Sequence, residues 1–303
     1  MNILITGGTG FIGRLLANRL AGEGHSVTII TRRTHGPVDG EKAIRFVEGD
    51  PAVVGPWQNL LAEQGAIVNL AGETVFGRWT AVKKERIRAS RIETTRRIVE
   101  ALPHGNEVVL ISGSAVGYYG ACGDDPVTES DPPGNGFLAH LSMEWEEEAL
   151  KAREKGARVV VTRIGVVLGR DGGAIKQMIT PFRLFAGGPI GSGRQWLPWV
   201  HADDIVEAFR FLIEGPDLSG PFNMTAPEPV RNAAFASALG LALGRPSWLP
   251  APGFALKIAL GEFSSVLLTG QRVMPNRLLE AGFVFRYKGI DAALRDLLGS
   301  RRS

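Results

Sequence analysis

The sequence predicts an α/β fold with a doubly wound parallel sheet and a smaller, discontinuous C-terminal substrate domain. Short apolar segments alternate with helical patterns through the first half of the chain. Strands that are apolar along their whole length are typical of a parallel sheet covered on both faces. After Gly165 the pattern loosens, because glycine and proline cluster in Gly187–Gly193, Gly215–Pro221 and Pro246–Gly253.

The predicted elements follow in chain order. The strands are Asn2–Thr6, Ser26–Thr31, Ala43–Val47, Ala66–Leu70, Glu107–Ser112 and Arg158–Ile164. The helices are Phe11–Ala21, Thr80–Leu102, Phe137–Lys155 and Ala202–Ile213. We expect residues 1–165, together with a returning helix at 202–214, to form the first domain. Residues 166–303 then form the smaller one.

Composition and charge exclude several classes of protein. Hydrophobic residues make up 44% and charged residues 21% of the 303 residues, as in ordinary globular proteins. The net charge of +3 is too small to indicate nucleic-acid binding, although the pI is about 9.2. No apolar run reaches the roughly 18 residues of a membrane span. We therefore expect neither a nucleic-acid nor a membrane partner, and the oligomeric state stays open.

Cysteine usage bears on localisation and on metals. Cys122 is the only cysteine, which excludes an intrachain disulfide and a multi-cysteine metal site. Met1 is followed directly by a strand and a glycine turn, so we expect no signal peptide. These features favour a cytoplasmic protein, and we predict no metal site.

A glycine motif directly follows the first strand: Gly7-Gly8-Thr9-Gly10-Phe11-Ile12-Gly13. Gly7 permits a tight turn, Gly10 lets a pyrophosphate approach the backbone, and Gly13 lets the next helix pack closely on the strand. The helix N-terminus offers free N–H groups to phosphates. A glycine-rich turn without a ligand is the alternative. Because strand, glycines and helix agree in order, we favour a Rossmann-type dinucleotide site.

The end of the second strand indicates which dinucleotide is bound. Sites for NAD usually place Asp or Glu there to hold the ribose hydroxyls, whereas this chain has Thr31-Arg32-Arg33. A guanidinium can bind a 2′-phosphate through two hydrogen bonds, which favours NADP(H). Two solvated arginines are the alternative. Asp50 is a candidate acceptor for the adenine amino group, or a plain turn residue.

These residues together resemble an extended or atypical short-chain dehydrogenase/reductase of the NAD-dependent epimerase/dehydratase type. The resemblance covers nearly the whole chain. Leu70-Ala71-Gly72 is similar to the motif that follows the fourth strand, near the nicotinamide ribose. The segment from Arg163 to Gly169 is similar to the sixth strand, and Arg163 joins the expected cofactor residues. The segment from Trp199 to Asp204 resembles the later His-Val-x-Asp motif.

Further blocks resemble one branch of that superfamily, labelled epimerase-family or cell-division-inhibitor-like. They are Gly72-Glu73, Trp79-Thr80, Ser90 to Thr95, Ser114 to Gly120, and Gly187 to Gly193. The tail from Pro250 to Leu294 resembles that branch's C-terminal domain of unknown function. These labels imply little about the chemistry.

The superfamily's catalytic Tyr-x-x-x-Lys pair is missing. Its expected stretch begins at Phe137 and reaches Leu141, and neither side chain can move a proton. Ser114 ends the fifth strand, and Tyr118 and Tyr119 follow it, so we name these three as candidate catalytic residues. The alternative for the tyrosines is packing.

Three other polar residues are candidate site residues. Ser112 also ends the fifth strand, where the superfamily keeps a hydrogen-bond donor. His140 is a possible base, but we expect it on the helix surface. Glu73 either lies near the nicotinamide or fixes its loop.

Arg91 is a further candidate for binding the cofactor or an anionic substrate. It shares a helical stripe with Ile87, Thr94, Ile98 and Leu102, so it faces the packed side of its helix. A buried arginine needs an anion or several acceptors. The alternative is an internal pair with a carboxylate such as Glu73.

Other basic and aromatic residues favour structural roles. The remaining cations of that helix are expected to form a solvated face. His201 and Asp204 suggest a hinge at the start of the returning helix. Arg194, Trp196 and Trp199 are expected to border the cleft, although tryptophan is more often a core residue.

Two functions are compatible with this sequence. The first is an NADP(H)-dependent oxidoreductase or epimerase acting on a small polar substrate. The second is a regulatory or scaffold protein that binds NADPH without turnover and has no small-molecule substrate. The intact glycine motif and complete second domain favour the first, whereas Phe137 and Leu141 favour the second.

Overall fold

The computed structural model describes residues 1–33, 43–105, 107–170 and 172–299. Residues 171 and 300–303 of the predicted second domain thus lie outside the described residues. The strands are β1 (Asn2–Thr6), β2 (Ser26–Thr31), β3 (Ile44–Glu48), β4 (Ala66–Asn69), β5 (Val109–Ala115), β6 (Pro126–Val127), β7 (Arg158–Ile164), β8 (Val166–Gly169), β9 (Gly172–Gly173), β10 (Trp196–Leu197), β11 (Trp199–His201), β12 (Gly220–Met224), β13 (Val230–Arg231) and β14 (Arg272–Val273).

Helices connect and cover these strands. They are α1 (Phe11–Gly22), α2 (Ala81–Ala101), α3 (Phe137–Leu150), α4 (Ile175–Arg183), α5 (Ala202–Glu214), α6 (Asn232–Leu243), α7 (Gly253–Leu260), α8 (Ser264–Leu268), α9 (Asn276–Glu280) and α10 (Ile290–Leu298). Short 3-10 turns lie at Pro56–Glu63, Val116–Tyr119, Lys151–Lys155 and Gly261–Phe263. In the described chain, no helix is both long and apolar enough to cross a membrane.

The main sheet has seven parallel strands in the order β12-β7-β5-β4-β1-β2-β3. Alternate side chains of each strand point to opposite faces. Ile3 and Ile5 of β1 therefore pack in a core with α1 and α5, whereas Leu4 packs in the core beneath α2 and α3. The predicted doubly wound α/β fold is confirmed.

The observed elements agree closely with the predicted ones. The predicted bounds of β1, β2 and β7 match the observed strands residue for residue. The strand β5 runs from Val109 to Ala115 and so extends three residues past its predicted end at Ser112. This extension carries Ser114 to the carboxyl edge of the sheet.

The main sheet continues beyond the predicted domain division. After α5 the chain adds β12 as an edge strand, with Phe222 opposite Thr162 of β7. Segment Gly220–Met224 contains glycine, proline and asparagine, so its sequence carries a weak strand signal. The first structural unit therefore includes β12 as well as the predicted returning helix α5.

A second core lies in the C-terminal part, where α4, α6 and α10 surround the buried Trp199. The Asp204 carboxylate at the start of α5 joins this part to the first. It accepts the backbone N–H groups of Arg286 at 2.8 Å and of Tyr287 at 2.9 Å. Burial raises the pKa of Asp204, and the two N–H donors oppose that shift.

Gly13 allows α1 to lie against the preceding turn. A Cβ atom at this position lies 2.4 Å from the Gly7 carbonyl oxygen and 2.7 Å from the Gly8 Cα. Both neighbours are backbone atoms, so neither can rotate away. The third glycine of the motif therefore serves helix–turn packing.

We predict that Gly13→Ala lowers the free energy of unfolding by about 1–3 kcal/mol, because the added methyl overpacks rigid backbone. Gly22→Ala on the same helix is the matched control, since nothing lies within 4 Å of its Cβ position. There alanine stabilises by up to about 1 kcal/mol through helix propensity. Urea unfolding of both variants measures the difference, and equal midpoints contradict the prediction.

Candidate cofactor and active site

The glycine turn lies where the carboxyl ends of β1 and β4 meet. Gly7 has a φ of 71°, a conformation that side chains rarely adopt. A Cβ on Gly7 lies 2.6 Å from the Leu70 carbonyl oxygen and 2.7 Å from the Ala71 nitrogen. The turn and the 70–72 loop are thus in direct backbone contact at the sheet edge where this fold binds dinucleotides.

The next residues of the glycine turn are exposed to solvent at this edge of the sheet. Thr9 and Gly10 are exposed, and a Cβ on Gly10 has only the Gly7 carbonyl oxygen, 3.1 Å away, in its vicinity. The helix α1 then begins at Phe11, followed by Ile12. Its first-turn N–H groups have no partner within the helix. The geometry fits a pyrophosphate, because an uncovered backbone and a helix N-terminus meet at one place.

The Phe11 ring packs the glycine turn against the second lobe, which is the C-terminal part of the chain that begins with β8. Cβ atoms on Gly169 and Gly172 lie 2.2 and 2.3 Å from ring atoms of Phe11. The hairpin of β8 and β9 therefore holds the ring between glycines. Phe11 contributes its backbone to the anion site, while its side chain packs away from that site.

Arg32 and Arg33 follow the end of β2 and are both exposed. The Thr31 hydroxyl receives the Arg33 N–H at 3.4 Å and donates to the Arg33 carbonyl at 3.1 Å, which fixes the turn. In the described ranges no carboxylate pairs with either guanidinium. Both cations are therefore available to an anion at the sheet edge.

Asp50 stabilises a turn, which is one of the two roles that the sequence predicts for it. Its Oδ1 accepts the Ala52 N–H at 3.0 Å, and the residue is exposed. This bond closes the turn after β3.

Arg91 lies against the 70–72 loop. Its guanidinium carbon lies 2.9 Å from the position of a Cβ on Gly72, so the guanidinium packs closely against the backbone of this loop. Its Nη1 donates to the carbonyl oxygens of Glu73 and Ile87, each at 3.0 Å. Burial lowers the pKa of Arg91 to about 10, with the Glu73 charge opposing. The expected position on the packed face is observed.

Glu73 fixes its loop. Its carboxylate pairs with Lys83 at 2.7 Å and with Arg86 at 3.1 Å, and its N–H donates to Ser90 Oγ at 2.9 Å. The hydrogen bond from Lys83 is the largest cause that lowers the pKa of Glu73. The carboxylate does not pair directly with Arg91, which contacts only its carbonyl.

Arg163 belongs to a buried ion pair, and its place among the cofactor residues stays a prediction. Its Nε and Nη2 donate to the two Glu146 oxygens, each at 2.9 Å, and its side chain is 4% exposed. The Ser114 hydroxyl donates to the same carboxylate at 2.6 Å. The pKa of Arg163 is raised, because these carboxylate bonds outweigh burial. Ser114 and Arg163 thus donate hydrogen bonds to both oxygens of the buried Glu146 carboxylate.

Tyr119 is part of the same buried cluster. Its hydroxyl donates to Asn223 Oδ1 at 2.7 Å and accepts from Arg163 Nη1 at 2.9 Å, and the residue is 2% exposed. Burial raises the pKa of Tyr119 to about 12 despite the nearby guanidinium. A buried phenol with both bonds made inside the protein is a packing residue.

Tyr118 is the one candidate tyrosine that keeps access to solvent. It is half-buried, and the Arg163 guanidinium lies 3.5 Å from its ring centroid. No hydrogen bond within the described residues engages its hydroxyl. Of the three proposed catalytic residues, Tyr118 therefore presents the accessible proton.

The helix that normally carries Tyr-x-x-x-Lys contains neither residue type. This holds for every position of α3, so it does not depend on the alignment. Phe137 packs edge-on against Trp79 at 5.0 Å, and Trp79 contacts Phe263 at 5.5 Å. Leu141 is buried, and His140 is exposed as expected. The usual tyrosine position is filled by a phenylalanine that packs on Trp79, and Trp79 in turn contacts the second lobe.

His201 has a structural role at the hinge. Its Nδ1 accepts the Asp203 N–H at 3.0 Å and so begins α5. The ring proton therefore lies on Nε2, which points to Asp296 at 3.4 Å. Burial lowers the pKa of His201, with the neighbouring aspartates opposing.

The basic face of α2 is largely neutralised. Arg88 pairs with Glu144 of α3, Arg96 with Glu93, and Arg97 with Glu100. These pairs are part-exposed or exposed and contribute little to stability individually. The expected solvated face is observed.

Trp199 lies in the core, which is the alternative that the sequence analysis gave for a tryptophan bordering the cleft.

Several polar residues of the site were not identified from sequence. Asn69 accepts from Thr6 at 2.7 Å and donates to Thr95 at 2.8 Å behind the turn. Glu146 and Glu129 are buried although they are charged. An asparagine inside the apolar strand β4 was the available signal. Nothing local marked Glu146 among the several glutamates of α3.

We predict that Arg163→Met lowers the free energy of unfolding by about 3–5 kcal/mol, because it leaves Glu146 buried without its cation. Arg19→Met is the control, since its pair with Glu23 is 44% and 26% exposed and is worth at most about 1 kcal/mol. Chemical unfolding tests both. Similar losses in the two variants contradict the prediction.

Comparison with known sequences supports the geometry. The profile of the NAD-dependent epimerase/dehydratase family matches residues 3–224, and a domain of unknown function, DUF1731, matches residues 251–297. The epimerase family protein SDR39U1 homolog, chloroplastic, of Arabidopsis thaliana is 43% identical over 302 residues, covering 98% of this chain and 87% of that protein. The epimerase family protein YfhF of Bacillus subtilis is 39% identical over 306 residues, covering 100% of each.

A solved structure agrees with both. Human epimerase family protein SDR39U1 (isoform 2), crystallised with NADPH, superposes with a TM-score of 0.87 at 34% identity. The match covers 98% of this chain and 99% of the human one. With the glycine turn, the seven-stranded sheet and these matches in agreement, the chain belongs to the NAD-dependent epimerase/dehydratase family.

Proposed function

We propose that the protein is an NADP(H)-dependent oxidoreductase or epimerase acting on a small polar substrate. The observation that carries the cofactor choice is the exposed Arg32 at the end of β2, where NAD-binding sites usually hold a carboxylate. The human relative crystallised with NADPH, at 34% identity, supports the same choice.

The cofactor residues divide by the part of the dinucleotide they would hold. The backbone of the glycine turn and of the first turn of α1 would bind the pyrophosphate, because N–H groups and the helix dipole meet there. Arg32 and Arg33 would bind the 2′-phosphate. The 70–72 loop, with Arg91 behind it, would hold the nicotinamide ribose. The full set is Gly7, Thr9, Gly10, Phe11, Ile12, Gly13, Thr31, Arg32, Arg33, Asp50, Leu70, Ala71, Gly72 and Arg91.

The reaction proposed is a hydride transfer coupled to a proton transfer. Bound NADP(H) supplies a nicotinamide ring that gives or takes the hydride. Tyr118 then gives a proton to the substrate oxygen, or takes it in the reverse direction, since Ser114 and Tyr119 are engaged in the protein interior. Without the usual lysine, the Arg163 guanidinium, 3.5 Å from the centroid of the Tyr118 ring, is the cation in contact with the phenol. An ordered water is the remaining proton carrier.

A second function is favoured by one observation. Because α3 offers neither tyrosine nor lysine, the protein can be a regulatory or scaffold protein that binds NADPH without turnover. Its cofactor site would be the same. The two functions differ only in whether bound NADPH is consumed.

We predict that the protein binds NADPH more tightly than NADH and that Arg32→Ala weakens NADPH about ten- to a hundredfold. NADH lacks the 2′-phosphate, so its affinity stays unchanged. Arg45→Ala is the control, because this exposed cation lies near the opposite end of the neighbouring strand β3. Calorimetry with both nucleotides gives the answer, and equal wild-type affinities contradict the assignment.

We predict that Tyr118→Phe lowers turnover about a hundred- to ten-thousandfold, as expected for loss of a general acid. NADPH affinity should not change. Tyr119→Phe is the matched control. It should have a lower free energy of unfolding than the wild type but the same turnover. A reductase screen over aldehydes, ketones and nucleotide sugars supplies the assay. Full activity in Tyr118→Phe excludes the phenol, and NADPH binding with no substrate consumed favours the second function.

A further inference from the structure

Residues 252–263 form an arm that reaches from the second lobe to the first. The arm consists mainly of α7 and the 3-10 turn after it. Directly before the arm, the Ala251 N–H donates to the Pro189 carbonyl oxygen at 2.9 Å. Shortly after it, the Leu267 carbonyl oxygen accepts from Gln195 Nε2 at 2.9 Å. Both ends of the arm are therefore held to the second lobe, whereas its tip, the 3-10 turn, contacts the first lobe.

The tip of the arm is held by aromatic contacts and one ion pair. Phe263 is buried, and its ring packs edge-on against Phe76 at 5.2 Å and Trp79 at 5.5 Å. The neighbouring Glu262 carboxylate pairs with Lys84, near the start of α2. These five residues are named the latch, because they join the tip of the arm to the first lobe.

The latch lies beside the candidate cofactor site. Residues 73–80, which include Trp79 of the latch, follow directly on the 70–72 loop. Phe137, at the usual tyrosine position, packs against Trp79 at 5.0 Å, and Lys84 Nζ lies 5.2 Å from its ring centroid. Both α2 and α3 begin at the carboxyl edge of the sheet, because they follow the parallel strands β4 and β5. The latch is therefore at the edge where the 70–72 loop meets the glycine turn.

The arm itself is loosely packed. None of the eight residues of α7, all of which the structure describes, is buried, and Phe254 and Ile258 are 71% and 74% exposed. Gly261 ends the helix with a φ of 59°, a conformation that favours glycine. The ion pair of the latch is half-exposed, and such pairs and single aromatic contacts are individually weak. Because segments with few buried contacts open more readily than the core, the arm can detach while its lobe stays folded.

We propose that the arm is a lid over the nicotinamide end of the cofactor site and that the latch holds this lid closed. Opening moves the Phe263 ring away from Phe76 and Trp79 and separates Glu262 from Lys84. Exchange of NADP(H) requires the open lid, and the closed lid keeps water from the site. This inference rests on the cofactor site of the proposed function but goes beyond it, because the lid serves turnover and binding without turnover alike.

A reversible cross-link tests whether the latch must open. Lys84→Cys and Glu262→Cys are combined with Cys122→Ser, which removes the natural thiol. After NADPH is bound, a bismaleimide linker with an internal disulfide joins the two new thiols, since the original side chains meet end to end. We expect the linked protein to release NADPH at least about tenfold more slowly in stopped-flow fluorescence, and reduction of the linker to restore the rate.

A second cross-link on the same helix is the control. Glu93→Cys with Arg96→Cys replaces an ion pair of similar exposure that lies wholly within α2. The same linker at these positions should leave the release of NADPH unchanged. Equal release rates before and after reduction of the Lys84–Glu262 linker overturn the proposal. Failure of the wild type to bind NADPH counts against the proposed function instead, and a measurement without nucleotide then decides whether the lid exists.

Hydrogen exchange, followed by mass spectrometry of the protein without nucleotide, is that measurement. Glu262→Gln removes the ion pair of the latch, so we expect faster exchange in the arm and in residues 73–80 together. Exchange in α10, which lies elsewhere in the second lobe, should not change. Glu280→Gln is the control, because it removes an exposed carboxylate of the same lobe. Unchanged exchange in Glu262→Gln, or an increase in only one of the two segments, overturns the proposal.

Discussion

The candidate site depends on the backbone contact between the turn after β1 and the loop after β4. Gly7 approaches the Leu70 backbone so closely that no side chain fits, and the Arg91 guanidinium packs closely against Gly72. Because parallel strands end at one edge of the sheet, these two contacts bring the anion-binding turn, the 70–72 loop and a buried cation together. The rest of the cofactor site is built around that edge.

Buried charge explains why several attractive catalytic candidates are structural. Glu146 lies inside the protein, and a buried carboxylate is stable only when its oxygens are bonded. Arg163 and Ser114 supply those bonds, and Tyr119 satisfies a further Arg163 donor. Tyr118 takes no part in these bonds, and within the described residues its hydroxyl has no hydrogen-bond partner.

The two lobes are joined by small polar and aromatic contacts. Asp204 receives two backbone N–H groups from the C-terminal segment, and Phe11 is held by the glycines of the β8–β9 hairpin. Phe137 extends this connection through Trp79 to Phe263. Phe11 at the start of α1 therefore contacts the second lobe directly, whereas Phe137 at the start of α3 reaches it through Trp79. These contacts hold the second lobe against the edge of the sheet where the glycine turn lies.

The sequence by itself determined the α/β class, the strands β1, β2 and β7, the glycine turn and the basic end of β2, because each rests on local periodicity or on glycine's conformational freedom. Only the tertiary structure decided the rest. Which of Ser114, Tyr118 and Tyr119 keeps a free hydroxyl depends on Glu146, Arg163 and Asn223, which lie 17 to 104 residues away from their partners. The edge strand β12 and the buried Glu146 also became evident only there, because burial and strand pairing are properties of the packed chain.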